Sequence, residues 1–226
     1  MRLLAPILTS LLGVSAVLGA FAGNRSTVLF QASFDLSAQA PKAELGSFTS
    51  KGQNGLTLVA TSGGGYAAMF GAPGQEVFLQ GLFAEGKSIA TGGIDLTCSV
   101  LPKVNGHFEV GLITDEPTSA FYPASGSGVD GSLVVAGSPT GASLPSNVEL
   151  EFALHLERTS LASNWAFELV VSWADAKAEG GTESVTLTGV LPNTALRKVL
   201  GVGFLKPAAS NAIIQVDDIL AVQSAQ

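Results

Sequence analysis

Along this chain apolar residues recur at every second position over short stretches, and Gly, Pro, Asn or Asp closes each stretch. That period puts one side of an extended segment into a core and leaves the other in water. It predicts strands at 28–34, 56–61, 66–70, 77–83, 94–101, 107–114, 132–136, 148–156, 166–174, 183–188, 199–205 and 213–222. The clearest run sets Val148, Leu150, Phe152, Leu154 and Leu156 against Glu149, Glu151, Ala153 and His155. A second sets Ile94, Leu96, Cys98 and Val100 against Asp95, Thr97 and Ser99, which makes Cys98 a core residue. The Asn105-Gly106 step before Phe108, Val110 and Leu112 predicts a hairpin between these two segments. Gly/Ser/Pro-rich stretches at 61–65, 124–131 and 136–146 read as loops, and only 194–198 offers a helical turn. With no helices for parallel crossovers, the fold class is all-β: a two-sheet antiparallel jelly-roll sandwich forming a single domain.

The first 22 residues stand apart. Arg2 is followed by an uncharged apolar run at 3–18 and by Ala20-Phe21-Ala22, the layout of a signal peptide with its A-x-A cleavage site. Cleavage after Ala22 predicts a secreted or periplasmic protein occupying 23–226, with no transmembrane domain once the segment is gone. An uncleaved anchor is the alternative, since the apolar run is about long enough to cross a bilayer.

Composition narrows the function. The chain has 226 residues, with 18 acidic against 11 basic, and a formal net charge of −7. No basic field exists to neutralise phosphates, so nucleic acid is not an expected partner. A single cysteine excludes an internal disulfide and a cysteine-based zinc site. No G-x-S-x-G elbow or phosphate-binding glycine loop is present.

The segments VLFQASFDL, GGIDLTCSV with GHFEVGLITD, VELEFALHLERT, AFELVVSW and the closing IIQVDDILAV together resemble the concanavalin-like, laminin-G-like jelly-roll superfamily. The resemblance spans the chain after residue 22 and implies that the closing strand, with its D-D-hydrophobic signature, lies beside the first. It implies no single chemistry, because such folds carry lectins, polysaccharide-binding modules, glycosidases, lyases and adhesion domains.

Glu149 and Glu151 are the candidate catalytic pair. Jelly-roll glycosidases carry E-x-D-x-E or E-x-D-x-x-E on one strand, and here Ala153 and Leu154 stand where the last acid would fall. The expected function is therefore a non-catalytic exported module that binds a polysaccharide or another envelope component. A carbohydrate-active enzyme using Glu149 and Glu151 and a purely structural envelope protein are the alternatives. The expected ligand face comprises Glu149, Glu151 and His155, continued by Glu168, Val170 and Ser172 if the two strands adjoin, and rimmed by Phe121, Tyr122 and Trp165; a merely solvated face is the competing reading. Trp173 shares the core side of its strand, and His107 sits at a solvated turn. Near the C-terminus the apolar pattern slips, with Ile219 three residues beyond Val216, which predicts a bulge at Asp217-Asp218. If the terminal strands pair as the resemblance implies, Asp35 would join these two carboxylates, and a structural calcium ion is the one cofactor expected. Otherwise the two aspartates simply cap and solubilise an edge strand.

Overall fold

The computed structural model describes residues 26–224 except 38–39, 52–54, 63, 72, 116–119 and 195. The predicted signal segment lies outside the described residues. Among the described residues fifteen strands follow in order: β1 (Thr27–Ala32), β2 (Ser47–Lys51), β3 (Leu56–Ala60), β4 (Tyr66–Phe70), β5 (Val77–Leu82), β6 (Gly92–Val104), β7 (Phe108–Thr114), β8 (Phe121–Ser127), β9 (Ser132–Val135), β10 (Ser138–Ser143), β11 (Leu150–Arg158), β12 (Trp165–Ala174), β13 (Thr182–Leu191), β14 (Val199–Lys206) and β15 (Ile213–Ser224). They build a two-sheet antiparallel jelly-roll sandwich. One sheet has eight strands in the order β13-β12-β11-β6-β15-β4-β3, with β1 also on β15, and the other seven in the order β10-β9-β8-β7-β14-β5-β2.

All twelve stretches of period-two alternation are strands. Leu150, Phe152, Leu154 and Leu156 enter the core, as do Ile94, Leu96, Cys98 and Val100 from β6 and Phe108, Val110 and Leu112 from β7. Phe108 meets Phe152 edge to face across the core, with ring centroids 6.4 Å apart. At the other end Phe30 of β1 packs edge-on to Phe48 of β2, and Phe34 stacks on Phe48. Gly81 of β5 is needed there, because a Cβ would sit 2.6 Å from the Phe30 ring.

Three strands escaped the pattern. β2 has one apolar side chain, Phe48, β8 holds Pro123 and small residues, and β10 holds Pro139 and Gly141. Proline is tolerated in β8 because the pairing with β7 breaks register between Val110 and Gly111. The expected β6–β7 hairpin is absent: β6 pairs with β11 and β15, whereas β7 lies in the opposite sheet between β8 and β14. Gly106 instead permits a close backbone approach, since a Cβ there would stand 2.7 Å from the Ala212 nitrogen. The described part of 194–198 forms turns and bends rather than a helix.

β15 lies beside β1, with Thr27 opposite Gln223 and Ala32 opposite Ile219. Its first half pairs with β4 through Ile214, Gln215 and Val216. The predicted bulge separates the two halves: Asp217 faces Ser99 and Leu220 faces Thr97, so three steps on β15 match two on β6.

Arg158 closes the sandwich at the far end of β11. It is buried, donates to the carbonyls of Ser160, Leu161, Leu196 and Arg197, and lies over the Trp165 ring at 5.6 Å. Trp165 Nε1 donates to the Leu196 carbonyl at 2.8 Å. Together they tie the β11–β12 turn to the segment before β14. Replacing Arg158 with Met takes its hydrogen bonds from the part-buried carbonyls of Ser160, Leu161 and Arg197, while the Leu196 carbonyl keeps its bond from Trp165, and each buried bond left unmade costs about 1–3 kcal/mol. Urea unfolding of Arg158→Met is expected to show a loss of about 2–4 kcal/mol, and an unchanged midpoint would contradict the tie.

Candidate functional site

Cross-strand register decides which side chains meet on the outer face of the eight-stranded sheet. β11 runs between β12 and β6, so Glu151 stands opposite Ser172 and Ser99, Ala153 opposite Val170 and Thr97, and His155 opposite Glu168 and Asp95. The next strands extend each row. Ser184 and Asp217 flank the first, Thr186 and Leu220 the second, and Thr188 and Val222 the third. The adjacency expected of the Glu149/Glu151/His155 strand and the Glu168/Val170/Ser172 strand is present. The result is two polar rows on either side of a neutral strip, Thr186, Val170, Ala153, Thr97 and Leu220.

Hydrogen bonds hold both polar rows. Ser99 Oγ donates to Glu151 Oε1 at 2.8 Å. His155 Nδ1 lies 2.6 Å from Asp95 Oδ1, and Ser224 Oγ donates to the second oxygen of the same carboxylate. A carboxylate only accepts, so Nδ1 carries the proton that Asp95 receives. Glu151 has its pKa raised, first by desolvation and then by the charge of Glu149 and Asp218 and a hydrogen bond with Glu149, against the lowering effect of Ser99.

The two carboxylates of the bulge lie on the same face. Partial burial, opposed by the hydrogen bond from the Asp218 nitrogen and reinforced by the charges of Asp218, Asp35 and Glu149, pushes the Asp217 carboxyl up to about 7. Asp218, in the left-handed region at φ 47, is raised by desolvation and by Asp35 and Glu44. Asp35 reaches this corner from the end of β1, where its Oδ1 accepts from the Tyr66 nitrogen at 2.9 Å. The three aspartates thus sense one another's charge. Among the described residues no group of three or more His, Cys, Asp or Glu side chains converges closely enough to hold a metal ion.

The expected aromatic rim does not assemble. Trp165 is 0% exposed and belongs to the core, as does Trp173. Tyr122 points inward from β8, is half-buried against the core, and has its pKa raised by desolvation. Phe121 lies on the outer face of the seven-stranded sheet, beside Phe78 at 5.1 Å, with its ring over the glycines at 111 and 203. Phe121 and Tyr122 belong to β8, a strand that lacks the alternation by which sequence reasoning finds strands. That reasoning also missed Asp95 and Ser224, which only the β6–β11 and β6–β15 pairing brings to His155. His107 Nε2 lies within hydrogen-bond distance of Glu109 Oε1 at 3.1 Å, and Cys98 is buried, which pushes its thiol pKa up.

Depressions among the described residues lie elsewhere. One of about 290 Å³ is lined by Gly46, Ser47, Leu82, Phe83, Ala84, Glu85 and Gly86. Another, about 10 Å³, lies by His107, Glu109 and Pro123. Among the described residues no helix is long and apolar enough to cross a membrane.

No family model matches the chain, and no curated protein matches it. Similar solved structures include a family 29 carbohydrate-binding module, at 12% identity and a TM-score of 0.39 over 88% of this chain and 90% of that one. A variant family 29 module complexed with mannohexaose is 11% identical, with a TM-score of 0.39 over 88% of this chain and 93% of that one. Another complexed with cellulohexaose is 12% identical, at 0.39 over 88% and 93%. Similarity at this level carries no residue-to-residue correspondence.

The Asp217 carboxyl gives a pH dependence. Its folded value near 7 lies above the ordinary 3.8, so the folded state holds a proton that the unfolded chain has released. Stability from this group is full below about pH 4 and declines as pH rises to about 7. Asp217→Asn removes the charge while keeping an acceptor for the Asp218 nitrogen. Its melting temperature is expected to exceed that of the parent by several degrees at pH 8, at roughly 2–4 °C per kcal/mol for a domain of this size, and to match it at pH 4. An equal difference at both pH values would contradict the raised carboxyl.

Proposed function

We propose that the protein is an exported, non-catalytic, single-domain binding module that takes a neutral polysaccharide on the outer face of its eight-stranded sheet. The observation that carries this reading is the neutral strip through Ala153 between two rows of hydrogen-bonding groups. The rows are four residues apart along β11, about 13 Å at ~3.3 Å per residue, and the strip crosses five strands, about 19 Å. Sugar rings laid along the strip would rest on the small and aliphatic side chains of Val170, Ala153, Thr97 and Leu220. Their hydroxyls would reach Glu151, Asp217, Glu168 and Asp95 as acceptors, and Ser172 and Ser184 as donors or acceptors. The face carries these acids with His155 as the one titratable base in its three rows, which disfavours an anionic chain.

Membership of the concanavalin-like superfamily is part of the same proposal, supported by β1 lying beside the D-D-hydrophobic stretch of β15. The enzyme alternative has one observation in its favour: Glu151 is raised and hydrogen-bonded to Glu149, as a general acid beside a second carboxylate is. Against it stands the position of Glu151 on the outer sheet face, outside both of these depressions.

A glycan array run with a reducing-sugar release assay separates the readings. Expected are binding to neutral glycans, no release of reducing ends, and at least a tenfold loss of affinity, ~1.4 kcal/mol, in Ala153→Lys. Release that disappears in Glu151→Gln would establish the enzyme, and no glycan bound at all would leave the structural envelope role.

A further inference from the structure

We infer that the free edge of β13 pairs antiparallel with the same edge of a second copy of this chain. An edge strand presents unpaired N–H and C=O groups along its length, and folded proteins blunt such edges with shortness, proline, lysine or irregular pairing. The other outer strands of the two sheets carry these devices. β3 and β2 have five residues each, β1 breaks register with β15 between Val28 and Phe30 and is bridged on its other side by Leu45, and β10 holds Pro139 and breaks register with β9 between Pro139 and Ser143. β13 carries none of them. It pairs with β12 from Thr182 to Leu191 without a register shift, and among the described residues no strand covers its outer side. Its sequence, TESVTLTGVL, holds one charge, Glu183, at the end, and Thr and Val elsewhere favour extended backbone.

Self-pairing suits this edge. A two-fold axis through Leu187 sets Thr186 opposite Thr188 of the partner subunit and Ser184 opposite Val190 of the partner subunit. The one charged residue, Glu183, then faces Leu191 of the partner subunit and no like charge. Val190, 66% exposed, gains a cross-strand neighbour, and half-buried Val185 and Leu187 lose their open flank. The two eight-stranded sheets become one continuous sheet with their outer faces side by side. The net charge of −7 on each copy opposes approach, so association strengthens with salt.

Sedimentation equilibrium of the full chain from about 1 to 200 μM, in low and in 0.3 M salt, tests the pairing. The expected result is a rise from the 22.9 kDa monomer mass to twice that value as concentration increases, at lower concentration in salt. Thr186→Lys combined with Thr188→Lys places lysines opposite one another across the axis while both side chains remain on the solvent face. This variant is expected to stay monomeric throughout with an unchanged circular dichroism spectrum. Should it misfold, slower amide hydrogen exchange in β13 of the unaltered protein at high concentration provides the second readout. A monomer at all concentrations, a dimer that persists in the double lysine variant, or β13 exchange independent of concentration would each overturn the pairing.

Discussion

The closing strand must satisfy three neighbours at once, and the rest of the sandwich depends on it. One side of β15 is bonded to β6 along nearly its full length, while the other is shared end to end between β4 and β1. A regular strand would keep a single twist and side-chain phase through that junction. The extra residue at Asp217-Asp218 resets both, so that Ile214 and Val216 before it and Ile219 and Ala221 after it all enter the core. The cost is local: two carboxylates are held near Asp35 with partial loss of water, and the carboxyl of the first is raised to about 7. Fold and electrostatics of this corner therefore share one cause.

The same register delivers the face. Because β6 lies between β15 and β11, and β11 next to β12, five strands present outward residues in step. Asp95 occupies the hinge of this arrangement, joined to His155 on one neighbour and to Ser224 on the other. These bonds fix the orientation of side chains that would otherwise sample several rotamers, which lowers the entropy cost of meeting a ligand.

Much of the fold was legible because half-buried strands print their burial on the sequence. Val148 to Leu156 and Ile94 to Val100 show it directly, and the slip at Ile219 disclosed the bulge. β2, β8 and β10 were illegible for the opposite reason: they are edge or irregular strands, rich in Ser, Gly and Pro, whose backbone pairing leaves no alternation. The pairing of β6 was misread because Asn105-Gly106 has the composition of a hairpin turn, although the glycine answers a packing need against Ala212. Of the candidate site, Glu151 and His155 fall on one face as their spacing implies, while Glu149 precedes β11. The aromatic rim fails on burial. A tryptophan at the start of a strand can face either way, and the Leu196 carbonyl, distant in sequence, and the Arg158 guanidinium across the β11–β12 turn draw Trp165 inward.

The claim that the outer face of the eight-stranded sheet is the ligand surface is tested most directly by mapping amide chemical shifts during titration with a neutral hexasaccharide that binds. The account predicts perturbations concentrated on Thr97, Ala153, Val170 and Leu220 and on the flanking Glu151, Asp95 and Glu168. Perturbations centred instead on Phe78 and Phe121 of the opposite sheet, with the Ala153 strip unmoved, would contradict it.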